Sequence, residues 1–188
     1  MRKIFISGIL TCLITFSAQA TSLEVTLNDD SVQAQAGLTL NEDSYGTSIL
    51  TVRGLYNDEE STKLGSAGFD FMGRLGNVPG LEVGVGAQIY SAKTDRSLDL
   101  LTLGIGVRAT FTPPLLQGFG IKGKAFYAPK ILSGLDAERL IETGADIFYA
   151  ITPKVRVLLG YQLMRASFEK VSTSNIDEGA RIGFEARF

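Results

Sequence analysis

Residues 179–188 read Gly-Ala-Arg-Ile-Gly-Phe-Glu-Ala-Arg-Phe. In an extended chain, Ala180, Ile182, Phe184, Ala186 and Phe188 share one side, and Arg181, Gly183, Glu185 and Arg187 share the other. Successive side chains of a strand point to opposite faces, so this is strict period-two alternation with one apolar and one charged face. Two architectures accept such a strand. A soluble sandwich or barrel turns the apolar face inward. A transmembrane barrel turns it toward lipid and the charged face toward a lumen.

The same alternation recurs upstream. Leu101, Leu103, Ile105, Val107, Ala109 and Phe111 oppose Thr102, Gly104, Gly106, Arg108 and Thr110. Leu81, Val83, Val85, Ala87 and Ile89 oppose Glu82, Gly84, Gly86 and Gln88. Comparable segments begin near residues 23, 32, 47, 66, 119, 141 and 155, separated by turn chemistry such as Asn28-Asp29-Asp30, Asn77-Val78-Pro79-Gly80 and Thr112-Pro113-Pro114. Proline cannot continue a hydrogen-bonded ladder, which fixes several strand ends. The count is ten strands, with eight as the alternative if the weak first strand does not form. The expected fold is therefore all-β, an antiparallel up-and-down transmembrane β-barrel.

Length decides between the two architectures. Segments of roughly ten residues or more suit a tilted bilayer crossing, whereas ordinary strands run about 5–6 residues. Aromatic residues fall at the ends of the apolar faces, with Phe111, Phe119, Tyr149 and Phe188 on one rim and Tyr56 and Tyr127 on the other. Such placement fits interfacial girdles. Turns near residues 42, 78, 114 and 152 read as compact. Those near 59, 95, 133 and 173 read as longer or more charged, including a connection over 129–139 and a polar loop over 169–178.

The N-terminus carries an address. Arg2 and Lys3 precede a largely apolar run over residues 4–16, and Ala18-Gln19-Ala20 offers a small-x-small cleavage site at Ala18 and Ala20. This is the pattern of a secretory signal peptide over residues 1–20, leaving a barrel over 21–188. The run is shorter than the ~20 residues a spanning helix needs. The single cysteine, Cys12, lies inside it, so the processed chain has no thiol chemistry. The terminal strand over residues 179–188 ends on a phenylalanine and resembles the assembly signal of bacterial outer-membrane barrels. Phe184 and Phe188 are accordingly the membrane-insertion terminus, and the expected partners are outer-membrane lipid, lipopolysaccharide and the barrel-assembly machinery.

Composition excludes several functions. The formal charge is −2 and becomes more negative once Arg2 and Lys3 leave, so no basic patch is available for nucleic acid. The chain has no histidine, which removes Ser-His nucleophiles, His-activated water and His metal sites. No cofactor or metal site is expected. Asp58-Glu59-Glu60 lacks calcium-loop spacing and reads as a solvated loop tip. Carboxylate chemistry remains, with Asp70, Glu82, Glu142 and Asp146 as the inward candidates. The inward parity instead predicts a lumen charge cluster of Arg53, Asp70, Arg74, Glu82, Arg108, Lys122, Lys124, Glu142, Asp146, Arg156, Arg181, Glu185 and Arg187. Charges of both signs inside a small barrel are expected to pair, because unpaired buried charge costs several kcal/mol. The expectation is a non-enzymatic barrel with a filled or narrow lumen, acting at the surface, on lipid or in envelope integrity. A narrow channel gated by Arg108 and Lys122 is the alternative, and a carboxylate-dependent hydrolase a third. Oligomeric state is left open.

Several local strings resemble a known family. Ala125-Phe126-Tyr127-Ala128-Pro129, then Ile131-Leu132-Ser133, Asp136-Ala137-Glu138-Arg139, Ile151-Thr152-Pro153 and Leu159-Gly160-Tyr161 resemble the YfaZ family of outer-membrane proteins. That family tends to read Gly-Tyr-Arg where this chain has Gly160-Tyr161-Gln162, with Arg165 nearby. The resemblance covers residues 125–188 and the signal peptide. It implies an outer-membrane β-barrel of a Gram-negative bacterium and brings no activity or site residues.

Overall fold

The structure, a computed structural model, describes residues 21–59, 61–93, 99–135, 137–168 and 174–188. The proposed signal peptide, Glu60, and residues 94–98, 136 and 169–173 lie outside the described residues. The strands are β1 (Ser22–Leu27), β2 (Ser31–Glu42), β3 (Gly46–Asn57), β4 (Thr62–Arg74), β5 (Leu81–Lys93), β6 (Asp99–Phe111), β7 (Phe119–Ala128), β8 (Ser133–Leu135), β9 (Ala137–Thr152), β10 (Val155–Phe168) and β11 (Ser174–Arg187). All but β8 form a closed antiparallel ring of ten. The ring is sealed where β1 meets β11, from Ser22 opposite Arg187 to Leu27 opposite Ile182. Beyond it the Phe188 N–H donates to the Thr21 carbonyl at 3.1 Å. Closure leaves no unpaired edge, which a bilayer requires.

The outer surface is apolar on every barrel strand. Leu27, Val32, Leu50, Phe69, Val85, Ile105, Ile121, Ile147, Leu159 and Ile182 are all exposed, one from each of the ten strands in turn. An apolar band that encircles the molecule far exceeds the ~300–600 Å² patch of an ordinary soluble monomer. The lumen side carries the buried polar groups instead, among them Arg53, Asp70, Gln88, Glu142 and Arg181. Polar inside and apolar outside inverts a soluble barrel and defines the transmembrane kind. Among the described residues no helix is long and apolar enough to cross a membrane. The crossing is made by strands, and all except β1 and β8 have ten residues or more.

Thr21, the first described residue, and Phe188 lie at one end of the barrel, with the turns 43–45, 75–80, 112–118 and 153–154. This is the terminus end. The connections 28–30, 58–59 and 129–135, with the ends of β5 and β10 and the starts of β6 and β11, lie at the opposite, loop end. The expected contrast of short and long connections is weak, since 75–80 and 112–118 are longer than 58–61. Two expected loops are in fact partly strand. Within 129–139, a 3-10 turn at Lys130–Leu132 leads to β8, which pairs Ser133–Leu135 against Thr102–Leu100 of β6, and β9 begins already at Ala137. Strand β7 stops at Ala128, and β8 takes over its place beside the upper part of β6. Within 169–178, β11 begins at Ser174, with a bulge that leaves Ile176 unpaired between Met164–Asp177 and Arg165–Asn175. The bulge turns both Ile176 and Asp177 into the interior, which simple alternation forbids.

Candidate functional site

The lumen is divided into three layers along its axis. At the loop end, Leu55, Leu64, Tyr90, Leu100, Leu140, Met164, Phe168 and Ile176, with several alanines, form one apolar cluster, each at most 5% exposed. These are inward positions, so the barrel is plugged by a small hydrophobic core at that end. Burial of such side chains stabilises by roughly 1.5–3 kcal/mol each relative to exposure.

Beneath the plug a polar floor crosses the lumen. The Glu142 carboxylate, fully buried, accepts from Arg53 Nη1 at 2.5 Å and Nη2 at 3.0 Å, from the Tyr90 hydroxyl at 2.8 Å, and from Lys124. Arg53 Nε donates to Ser66 Oγ at 3.0 Å, which also accepts from Gln88 Nε2 at 2.9 Å. In the other direction Lys124 Nζ donates to Gln162 Oε1 at 3.0 Å, and Gln162 Nε2 donates to Asp177 Oδ2 at 3.0 Å. Asp177 pairs with Arg181, whose Nη1 donates to Thr26 Oγ1 at 3.1 Å and Nη2 to Ser31 Oγ at 2.8 Å. One continuous network therefore joins strands from β5 around to β2. Below it a space of about 20 Å³ beside Gln162 and Arg181 is the size of one water. Arg181 Nε has no partner among the described residues.

Toward the terminus end the lumen widens into a cavity of about 440 Å³. Its walls carry a second and looser set of charges. Arg108 Nε donates to Asp70 Oδ1 at 2.9 Å, and Lys122 Nζ lies 2.5 Å from Glu24 Oε2 and 4.0 Å from Asp146 Oδ2. Arg187 Nε donates to Glu185 Oε1 at 2.6 Å. Arg156 stacks on the Phe148 ring at 4.5 Å. At the rim Arg74 reaches Glu42 at 2.5 Å and Glu82 at 3.5 Å, with about half of its side chain exposed.

Glycines make room for these groups. A Cβ at Gly86 would strike the Asp70 carboxylate, and one at Gly160 would strike that of Asp146. At Gly120 it would fall on the Phe148 ring.

The residues expected in the lumen thus fall into three places. Arg53, Lys124, Glu142 and Arg181 build the floor; Asp70, Arg108, Lys122, Asp146, Arg156, Glu185 and Arg187 line the cavity; Arg74 and Glu82 sit at the rim. Two carboxylates escaped the sequence reading. Glu24 alternates correctly in β1 but was not counted among the lumen charges, and Asp177 fell inside a segment read as loop. Phe184 and Phe188 face outward and are exposed. Among the described residues no group of three or more acidic, histidine or cysteine side chains is arranged for a metal ion. Asp58 accepts from the Tyr56 hydroxyl at 2.8 Å instead.

A ring of ten antiparallel strands with a lipid-facing exterior and a charged lumen defines a small outer-membrane-type β-barrel. The chain belongs to the YfaZ precursor family, whose model matches residues 1–188, well beyond the C-terminal strings that first suggested it. Comparison with curated proteins finds no match. Among solved structures, one from work on the mechanism behind in-meso crystallization of membrane proteins is similar at 13% identity and a TM-score of 0.48. It is matched over 89% of this chain and 82% of that one. A KdgM porin in complex with disordered oligogalacturonate is similar at 6% identity and a TM-score of 0.47, over 89% of this chain and 98% of that one.

Proposed function

We propose that this barrel is a non-enzymatic, non-conducting protein of the outer membrane, working through its lipid-facing and loop-end surfaces in envelope integrity. The observation that carries this reading is the double seal of the lumen, an apolar plug above a floor of paired charges. Ions crossing would have to part Arg53 from Glu142, whose side chains are 1% and 0% exposed. Breaking such a pair costs about 3–5 kcal/mol. In the usual orientation of bacterial barrels, the terminus end and its cavity face the periplasm and the loop end faces outward. Outer-membrane lipid and lipopolysaccharide are then the partners of the apolar band. Ile131 and Leu135, 87% and 68% exposed at the loop end, extend that contact. The barrel-assembly machinery would act during insertion, through the terminal strand with Phe184 and Phe188.

A narrow channel is the second reading, and the 440 Å³ cavity with its mixed charges favours it. Hydrolysis has less support, since the two Glu142 oxygens are occupied by four donor atoms of Arg53, Tyr90 and Lys124. Single-channel recording in planar bilayers separates the first two. The proposal expects a silent barrel that is folded and heat-modifiable. Discrete charge-selective steps that change when Arg108 or Lys122 becomes alanine would replace it with the channel.

A further inference from the structure

We propose that the terminus-end cavity is a binding site for a small soluble oxyanion, a carboxylate- or phosphate-bearing solute, with Arg156 as its principal ligand. The volume of about 440 Å³ lies within the ~300–1,000 Å³ of small-molecule pockets. The cavity wall holds five cationic side chains and as many carboxylates, and the pairing among them is uneven. Arg108 is taken by Asp70, Lys122 by Glu24 and Asp146, Lys124 by Glu142, and Arg187 by Glu185. Glu82 turns to Arg74 at the rim. Arg156 alone has no hydrogen bond or ion pair among the described residues, although Glu185 stands opposite it in the β10–β11 register.

Arg156 is nevertheless held in place. Its guanidinium lies 4.5 Å above the ring of Phe148, which is itself 2% exposed. Gly120, where any side chain would collide with that ring, keeps the space for it. The ring holds the cation without accepting an ordinary hydrogen bond, so the N–H donors, whose fork matches a carboxylate or phosphate, stay unbonded among the described residues. An arginine positioned by an aromatic platform and not ion-paired or hydrogen-bonded to a carboxylate is prepared for an anion from outside. Glu24 and Asp146 also line the small space beside Gln162 and Arg181, which Arg156 and Arg187 do not reach, and their charge disfavours an anion there, so the ligand is placed between Arg156 and Arg187. The site is independent of whether the barrel conducts.

The test is isothermal titration calorimetry of the protein purified in detergent at low chloride, using inorganic phosphate and succinate as separate probes. Saturable binding of at least one probe is expected, weakened at least tenfold by Arg156→Gln and unchanged by Arg74→Gln at the exposed rim. Heat-modifiable migration verifies that each variant is folded. Glu185→Gln, which removes the nearest carboxylate and releases Arg187, is expected to tighten binding severalfold, and it decides the matter if Arg156→Gln does not fold. Absence of saturable binding for both probes, equal binding by a folded Arg156→Gln variant, or unchanged binding by Glu185→Gln would overturn the proposal.

Discussion

Two adjacent levels of the lumen, the floor and the cavity beneath it, use the same kinds of side chain to opposite effect. In the floor, Arg53 and Arg181 have lost nearly all contact with water while Lys124 keeps 14% of its side chain exposed toward the cavity, and their charges are met by Glu142 and Asp177 within one network. In the cavity, Arg108, Lys122 and Arg187 make simpler pairs that retain solvent, and Arg156 makes none. Burial is the difference. A charge out of water is costly unless it is paired and hydrogen-bonded, whereas a charge at a wet wall can stay available. The same inward alternation therefore yields a structural girder at one level and an accessible surface at the next.

The largest expected effect falls on the floor. Glu142→Ala leaves Arg53 and Lys124 uncompensated and is expected to cost about 3–5 kcal/mol. Urea titration of the barrel in lipid vesicles, followed by loss of heat-modifiable migration, would show it. An unchanged midpoint would mean that the floor is not a buried network. In the plug, Leu140→Ala opens a cavity at a fully buried position and is expected to cost about 2–5 kcal/mol in the same titration. It should leave the bilayer silent, because the floor beneath still closes the lumen; a pore created by this change alone would assign the seal to the plug.

A smaller loss is expected for Gly86→Ala, since its methyl group displaces the Asp70 carboxylate from Arg108. Overpacking of this kind costs about 1–3 kcal/mol. Restoration of stability by a compensating Asp70→Ala change would confirm the collision. At the rim, Arg74→Ala is expected to leave the unfolding midpoint where it was, because both partners of its pair with Glu42 are about half exposed. A clear loss there would erase the distinction between wet and dry charges.

The barrel was legible because its main signal is periodic. Residues 101–111 and 179–188 alternate without error, and the outward and inward sets they define are those of the folded chain. Irregular features escaped because they have no period. The bulge at Ile176 places two successive side chains inside, so Asp177 looked like loop. Strand β8 has three residues and exists because β6 offers an edge above the end of β7. Glu24 lay on the correct face of a strand too short to weigh heavily.

The division of the lumen was harder to see. Leu55, Leu64, Leu100, Leu140 and Met164 share inward parity near the loop end. Grouping inward residues by height, rather than by charge, would have revealed the plug. The polar pairings could not be read that way, since Arg53 and Glu142 lie 89 residues apart in sequence and meet only when the ring closes.

The most direct test of a lumen open at one end and sealed at the other is site-specific cysteine accessibility. Cys12 is the only native cysteine and falls in the proposed signal, so the refolded chain lacking it gives a clean background. Thr110→Cys lies in the cavity wall and Ala128→Cys in the plug, where the native residue is fully buried. With the barrel oriented in vesicles, a membrane-impermeant maleimide is expected to modify Thr110→Cys from the terminus side only. Ala128→Cys should resist modification from both sides until the barrel is unfolded. Rapid labelling of Ala128→Cys in the folded barrel, or labelling of Thr110→Cys from the loop side, would contradict the account.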